Sequence, residues 1–97
     1  MQKAYWVVRV SVEDDSRYPA YLDAARPAFE KYQARFLVRG GEYEAKEGAA
    51  RDRNVVVEFK DYATAEACYN SAEYQAARKI RAAIAETDFI IVQGAAA

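Results

Sequence analysis

The stretch AYWVVRVSV, residues 4–12, indicates the fold class of this chain. Its β-branched and aromatic side chains are typical of a strand, and successive side chains in a strand point to opposite faces. The face that includes Trp6 is wholly apolar, whereas the opposite face includes Arg9 and Ser11. The stretch therefore predicts a strand with one apolar face and one mixed face.

The remaining residues predict helices and strands in a regular alternation. Asp14 and Ser16 offer N-cap oxygens, and Pro19 is suited to a first helical turn. Gly40 and Gly41 permit a bend after the second strand. The predicted segments are a helix to about residue 33, a strand at 35–39 with a possible extension at 42–47, a turn at 48–52, a strand at 54–60, helices at 61–70 and 72–85, and a strand at 88–93.

The order β-α-β-β-α-β favours an α+β ferredoxin-like sandwich over residues 1–97, forming a single domain. Four antiparallel strands would form one sheet with the helices on one of its faces. The other face would then expose apolar side chains to water, which a small domain avoids. We therefore expect a second copy to cover this face with two-fold symmetry, giving a homodimer of the dimeric α/β-barrel type.

The composition excludes several kinds of chemistry. The 97 residues include no His and one Cys, so His-dependent nucleophiles, His–metal sites, Cys-rich zinc sites and an internal disulfide are excluded. We therefore expect no metal and no cofactor. Fourteen basic and 15 acidic residues give a net charge of −1, which argues against a nucleic-acid partner. No stretch approaches the ~20 apolar residues of a membrane span, so we expect a cytoplasmic protein without a membrane partner.

Strand alternation predicts a polar cluster on the sheet face away from the helices. We assume that the more apolar face of each strand meets the helices. Trp6, Val8, Val10, Phe36, Val38, Val55, Val57, Phe59, Ile90 and Val92 then face the helices. The opposite face receives Tyr5, Val7, Arg9, Ser11, Leu37, Arg39, Asn54, Val56, Glu58, Phe89, Ile91 and Gln93. An apolar cavity with a few convergent polar groups is typical of a small-molecule site.

Two hypotheses for this cluster stay open. In the first, Glu58 forms a cross-strand ion pair with Arg39 or Arg9 that sets the dimer register. In the second, Arg39 holds an anionic molecule and Glu58 orients it or moves a proton, with Tyr69 or Tyr5 as hydrogen-bond donor. Arg9 and Gln93 complete the predicted binding residues. Tyr69 is chosen because it lies at the end of a short helix, close to a turn.

The sequence resembles the family of small bacterial domains of unknown function numbered 1330, within the dimeric α/β-barrel superfamily. The matching residues are 4–7, 27–29, 36–41, 54–59, 68–71, 73–77 and 91–94. Two positions depart from the family pattern: Ala72 replaces the usual Pro, and Gln93 replaces a frequent Glu. The resemblance implies a homodimer with two facing sheets and no established reaction. Arg39 and Glu58 belong both to the family motifs and to the predicted cluster.

The sequence thus supports two functional hypotheses of different classes. One is a homodimer that binds a small anionic, partly apolar metabolite between its two sheets, including the case of a cofactor-independent enzyme. Related barrel families include cofactor-free monooxygenases, isomerases, lyases and stress-linked proteins, which is an analogy of fold alone. The other is a non-catalytic oligomerisation module that contains a buried ion-pair cluster.

Overall fold

A computed structural model describes residues 2–96, which form four strands, three α-helices and one 3₁₀ turn. The 3₁₀ turn spans Asp15–Arg17, directly before the first α-helix. The elements are β1 (Ala4–Val12), α1 (Tyr18–Lys31), β2 (Arg35–Arg39), β3 (Arg53–Phe59), α2 (Tyr62–Asn70), α3 (Ala72–Ala82) and β4 (Ala85–Gln93). None of the helices in this part of the chain combines the length and the apolarity needed to cross a bilayer.

The sheet confirms the predicted α+β ferredoxin-like fold. Its strands lie in the order β2-β3-β1-β4, and each neighbouring pair is antiparallel. The wholly apolar face of β1 meets the helices, as the alternation in residues 4–12 predicts. There the Trp6 indole donates a hydrogen bond to the Ala65 carbonyl of α2 at 3.0 Å.

Two N-caps position the helices of the second half. The Asp61 carboxylate accepts from the Thr64 backbone N–H at 2.8 Å at the start of α2. The Ser71 hydroxyl accepts from the Tyr74 N–H at 3.1 Å and donates to the Cys68 carbonyl at 2.7 Å. One side chain therefore ends α2 and begins α3, because it satisfies a free group on each helix.

The core is organised around the single tryptophan, which is 1% exposed. The ring centroids of Tyr74, Phe89 and Phe59 lie 4.8, 4.9 and 5.0 Å from that of Trp6. Small buried residues line the helices that pack on these rings: Ala25, Ala28, Ala65, Cys68 and Ala77. Short side chains at these positions let the helix backbones approach the aromatic layer.

Two predicted boundaries are wrong. Residues 42–47 form no strand, and every residue from 41 to 50 is exposed. Strand pairing closes instead at Gly40, whose N–H donates to the Asn54 carbonyl at 2.8 Å. The last helix ends at Ala82, and β4 begins at Ala85 rather than at residue 88. The extra pairing satisfies the backbone of β1 along its whole length, because Val12 at its end pairs with Ala85.

The predicted alternation is wrong in β4. Ile91 pairs with Trp6 and Phe89 pairs with Val8, so Phe89 and Ile91 face the helices. Ile90 and Val92 face the other way and are 56% and 42% exposed. We call the sheet surface away from the helices the open face.

The predicted alternation is also wrong in the second half of β2, because a bulge interrupts its pairing with β3. Phe36 pairs with Val57, but the next regular pair joins Val38 to Val56, which leaves Leu37 as an extra residue. An extra residue reverses the alternation beyond it. Val38 therefore lies on the open face, and Arg39 lies on the helix side.

Candidate functional site

The structure does not bring the six predicted site residues together. Tyr5, Arg9 and Glu58 lie on the open face, as predicted. The side chains of Arg39 and Gln93 belong to the opposite side of the sheet, which corrects the prediction for both. Tyr69, on α2, packs in the aromatic layer under the helices.

Glu58 has partners other than the predicted ones. Its carboxylate lies 3.2 Å from Lys3 Nζ and 4.0 Å from Arg35 Nη1, and its side chain is 14% exposed. Arg35 is the cross-strand neighbour of Glu58 on β2. An ion pair between Arg39 and Glu58 is excluded, because the sheet separates the two side chains.

Arg9 belongs to a second polar group on the open face, together with Arg51. Arg9 Nη2 lies 3.6 Å from an Asp88 oxygen, and Arg51 Nε donates to the same oxygen at 2.8 Å. Arg51 also donates to the Ser11 hydroxyl at 3.0 Å. The hydrogen bond from Arg51 holds the pKa of Asp88 below its usual range. Sequence reasoning missed Arg51, because its position in a turn gave no sign that it reaches across the sheet.

Gln93 and Tyr69 each contact other side chains of the described chain. The Gln93 amide contacts the Gln2 side chain at the end of the sheet, beside Ala4. The Tyr69 ring centroid lies 4.9 Å from that of Phe89 and 5.7 Å from that of Tyr74. Within residues 2–96 the Tyr69 hydroxyl has no hydrogen-bond partner. Its predicted role as a proton donor stays a prediction.

A cleft of about 450 Å³ lies between α1 and the β2–β3 edge of the sheet. We call it the α1 cleft. Arg39 lies in this cleft because the bulge at Leu37 turns it to the helix side. The lining residues are Leu22, Arg26, Phe29, Glu30, Ala34, Phe36, Arg39 and Arg53.

Three arginines give the α1 cleft its charge. Arg26 is paired with Asp23 at 3.0 Å. The Arg39 guanidinium lies 3.8 Å from the centre of the Phe36 ring, a cation–π arrangement. Arg53 lies 5.1 Å from the Tyr18 ring, and its Nε is buried without a hydrogen-bond partner. Neither Arg39 nor Arg53 forms an ion pair within residues 2–96. Glu30 also lines the cleft, so three positive charges and one negative charge lie at its wall.

Gly40 allows Arg53 to occupy its position. Gly40 has a φ of +66°, which favours glycine. A Cβ at this residue would also lie 2.5 Å from Arg53 Nη1. The glycine therefore supplies both the backbone turn after β2 and the space for the guanidinium.

The α1 cleft narrows inward to a space of about 30 Å³, which Tyr18, Tyr21 and Tyr74 help to line. The hydroxyls of Tyr21 and Tyr74 lie 2.8 Å apart. Arg81 Nη1 donates to the Tyr74 hydroxyl and, at 3.4 Å, to that of Tyr21. Burial raises the pKa of Tyr74 well above its usual value, so its phenol stays protonated.

The two phenols of this group contain one more proton than the group can accept. Arginine is only a donor, and each phenol has a single proton. The bond between Tyr21 and Tyr74 uses one phenolic proton, which leaves the other without an acceptor in residues 2–96. The inner space holds about one water-sized group. One phenolic proton of the Tyr21–Tyr74 pair is therefore free to donate a hydrogen bond.

Two other kinds of site concern metal ligands and the thiol of Cys68. No three His, Cys, Asp or Glu side chains from residues 2–96 cluster as metal ligands do. Burial raises the pKa of the Cys68 thiol to about 12, so it stays protonated at neutral pH and is a weak nucleophile. Cys68 is a core residue.

Solved structures share the fold at low sequence identity. The structure of a protein of unknown function, RPA0582 from Rhodopseudomonas palustris, has a TM-score of 0.79 and 16% identity over 99% of this chain and 85% of its own. SnoaB, a cofactor-independent oxygenase from Streptomyces nogalater, has a TM-score of 0.66 and 10% identity over 100% of this chain and 97% of its own. A dimeric ferredoxin-like protein of unknown function from Thermobifida fusca has a TM-score of 0.53 and 17% identity over 98% and 92% of the two chains.

At these identities the structural likeness establishes the fold alone. No curated protein matches the chain in sequence. One family model does match, and it extends over residues 3–95. The match confirms the resemblance read from the motifs of residues 4–94. The chain belongs to the family described as the domain of unknown function DUF1330.

Proposed function

We propose that this protein binds a small anionic molecule with an aromatic or apolar body in the α1 cleft. The observation that carries the proposal is the pair Arg39 and Arg53, two guanidinium groups without ion-pair partners at the wall of a cleft that is half apolar and carries a net positive charge. A carboxylate is the simplest group that compensates two such charges, since arginine binds it through two parallel hydrogen bonds.

The walls of the cleft suit the rest of such a ligand. Leu22, Phe29, Ala34 and Phe36 supply apolar surface between the arginines and the core. An aromatic ring that enters here exchanges water for apolar contacts, which stabilises the complex by about 25 cal/mol for each Å² removed from water. The ligand class is therefore a carboxylated aromatic or branched aliphatic molecule.

The inner donor adds a second point of recognition. The free phenolic proton of the Tyr21–Tyr74 pair can bond a carbonyl or hydroxyl oxygen at the far end of the ligand. A cationic, donor-rich environment stabilises negative charge that develops on such an oxygen. This favours enol- or phenol-type chemistry without a cofactor, in line with the description of SnoaB as a cofactor-independent oxygenase.

The location proposed here differs from the predicted cavity between two sheets. On the open face, Asp88 already forms ion pairs with both Arg9 and Arg51, and Glu58 forms one with Lys3. Val38, Ile90 and Val92 expose apolar surface beside them. We propose that a second copy of the chain covers this face, so that its ion pairs have the structural role of the alternative hypothesis. Structural relatives described as dimeric support this proposal.

A ligand screen with two matched variants tests the binding proposal. Thermal unfolding is measured with a series of aromatic carboxylates, and each compound is compared with its uncharged amide. The Arg39→Gln variant should bind the best carboxylate about 10- to 100-fold more weakly, since a charge-assisted hydrogen bond contributes about 1.5–3 kcal/mol. The Arg35→Gln variant is the control, because Arg35 is on the same strand but faces the open side. The proposal fails if both variants keep the wild-type affinity, or if acid and amide bind equally.

A further inference from the structure

A second cleft, of about 330 Å³, lies between α3 and β4 at the opposite edge of the sheet from the α1 cleft. We call it the α3–β4 cleft. Its lining residues are Tyr69, Arg78, Arg81, Ala82, Ala85, Thr87 and Phe89. Two of these residues are arginines, and none is acidic.

Arg81 is the most deeply buried charged side chain that the structure describes, at 5% exposure. Nη1 donates to the two tyrosine hydroxyls of the core, but Nε is buried and has no hydrogen-bond partner. No ion pair within residues 2–96 includes Arg81. A buried cation without a counter-charge is costly, because it loses hydration and gains only neutral acceptors.

Thr87 is a second unsatisfied donor on the same cleft. Its Oγ1 is buried and has no hydrogen-bond partner. Thr87 lies on the helix side of β4, where it pairs with Val10, two residues before Phe89. Buried polar atoms are rarely left unpaired, and here two of them belong to residues that line one cleft.

Arg78 adds a second positive charge in a fixed position. Its Nε donates to the Gln75 amide oxygen at 2.7 Å, and the Gln75 amide nitrogen donates to the Tyr69 carbonyl at 2.6 Å. This chain of bonds ties the Arg78 side chain to the end of α2. The cleft thus combines two arginines of the same helix with a buried threonine hydroxyl.

We propose that the α3–β4 cleft binds a small oxyanion, a carboxylate or phosphate group, through Arg81, Thr87 and Arg78. The anion supplies the missing counter-charge of Arg81 and accepts the hydrogen bonds that Nε of Arg81 and Oγ1 of Thr87 do not make. Tyr69 and Phe89 form the aromatic wall beside it. Arg81 also bonds the two phenols near the inner end of the α1 cleft, but the anion contacts its Nε, so the proposal stands whether or not a ligand binds in the α1 cleft.

Titration with inorganic phosphate and with acetate tests the site, with sodium chloride at equal ionic strength as the control for screening. Thermal unfolding and calorimetry should show saturable binding of one of the two anions, beyond the chloride effect. Thr87→Val preserves the shape of the side chain and removes the hydroxyl, so it should weaken anion binding about 10-fold. Arg78→Gln should weaken binding at least as much.

The matched control is Lys79→Gln, which removes an exposed positive charge from the same helix and should leave the affinity unchanged. Arg39→Gln should also leave it unchanged, which separates this site from the α1 cleft. The proposal is overturned if neither anion binds beyond the chloride effect, or if Thr87→Val and Arg78→Gln both bind as the wild type does. If Thr87→Val does not fold, the comparison of Arg78→Gln with Lys79→Gln decides.

Discussion

Replacing Tyr74 by Phe tests the internal polar group that joins α1 to α3. Tyr74 is fully buried, and its hydroxyl bonds both Tyr21 and Arg81. The change removes one neutral hydrogen bond, worth about 0.5–1.5 kcal/mol, and one bond to a charged group, worth about 1.5–3 kcal/mol. Arg81 is left with the long contact to Tyr21 at 3.4 Å. We expect the free energy of unfolding to fall by about 2–4 kcal/mol.

Urea unfolding followed by tryptophan fluorescence measures this loss directly. Trp6 is the single tryptophan, and its ring centroid lies 4.8 Å from that of Tyr74, so its emission reports on this part of the core. With a slope of about 1.5 kcal/mol per M of urea, the expected loss lowers the midpoint by about 1.3–2.7 M.

Two further variants test whether the loss of stability comes from the hydrogen bonds of the Tyr74 hydroxyl. Tyr21→Phe removes the neutral bond and only the longer contact with Arg81, so it should cost less than Tyr74→Phe. Tyr43→Phe is the control, because Tyr43 is exposed and its hydroxyl lies 3.5 Å from an Asp52 oxygen. The loss in free energy of unfolding should be largest for Tyr74→Phe, smaller for Tyr21→Phe and smallest for Tyr43→Phe. A loss below about 0.5 kcal/mol for Tyr74→Phe would refute the role given to the bond from Arg81.

Three other predictions concern the helix junction, the turn after β2 and the open face. Ser71→Ala removes the hydroxyl that serves both helices, and the free energy of unfolding measured in urea should fall by about 1–2 kcal/mol. Gly40→Ala places a Cβ against Arg53 at a positive φ, so it should lower thermal stability and weaken aromatic-carboxylate binding, whereas Gly41→Ala meets no atom within 4 Å and should change neither. The pKa of Asp88 is depressed in the folded protein, so its stabilising effect is present above the usual aspartate pKa and is lost as the pH falls through the folded value. Arg51→Gln should therefore flatten the loss of stability as the pH falls below the usual aspartate pKa of about 4, and an unchanged acid profile would contradict this.

The fold could be predicted from the sequence because its main signals are local and strong. The apolar alternation of residues 4–12 identifies the central strand, and Asp61 and Ser71 identify two helix starts. The orientation of β4 could not be predicted in the same way. Phe89, Ile90, Ile91 and Val92 are consecutive apolar residues, so the pattern is equally apolar on both faces. The register with β1 decides that Phe89 and Ile91, and not Ile90 and Val92, face the core.

The candidate site was harder to predict because it depends on a pairing irregularity. Nothing in the residues 35–39 marks Leu37 as unpaired, yet this residue decides on which side of the sheet Arg39 lies. The partners of Glu58 follow from strand register, which brings Arg35 opposite it. Arg81 could not be predicted as a site residue, because the positive charges near it in sequence are typical of a solvated helix face.

The bulge at Leu37 gives the pairing register of β2 a chemical consequence. Val38 and Arg39 pair with Val56 and Val55, so removing Leu37 would restore regular pairing and leave Arg39 on the helix side. If Leu37 instead paired with Val56, the alternation would turn Val38 toward the helices and Arg39 to the open face. The α1 cleft would then lose a guanidinium, and the open face would gain one. A slip of one residue in an edge strand, with no change of sequence, would thus move a positive charge from one side of the sheet to the other.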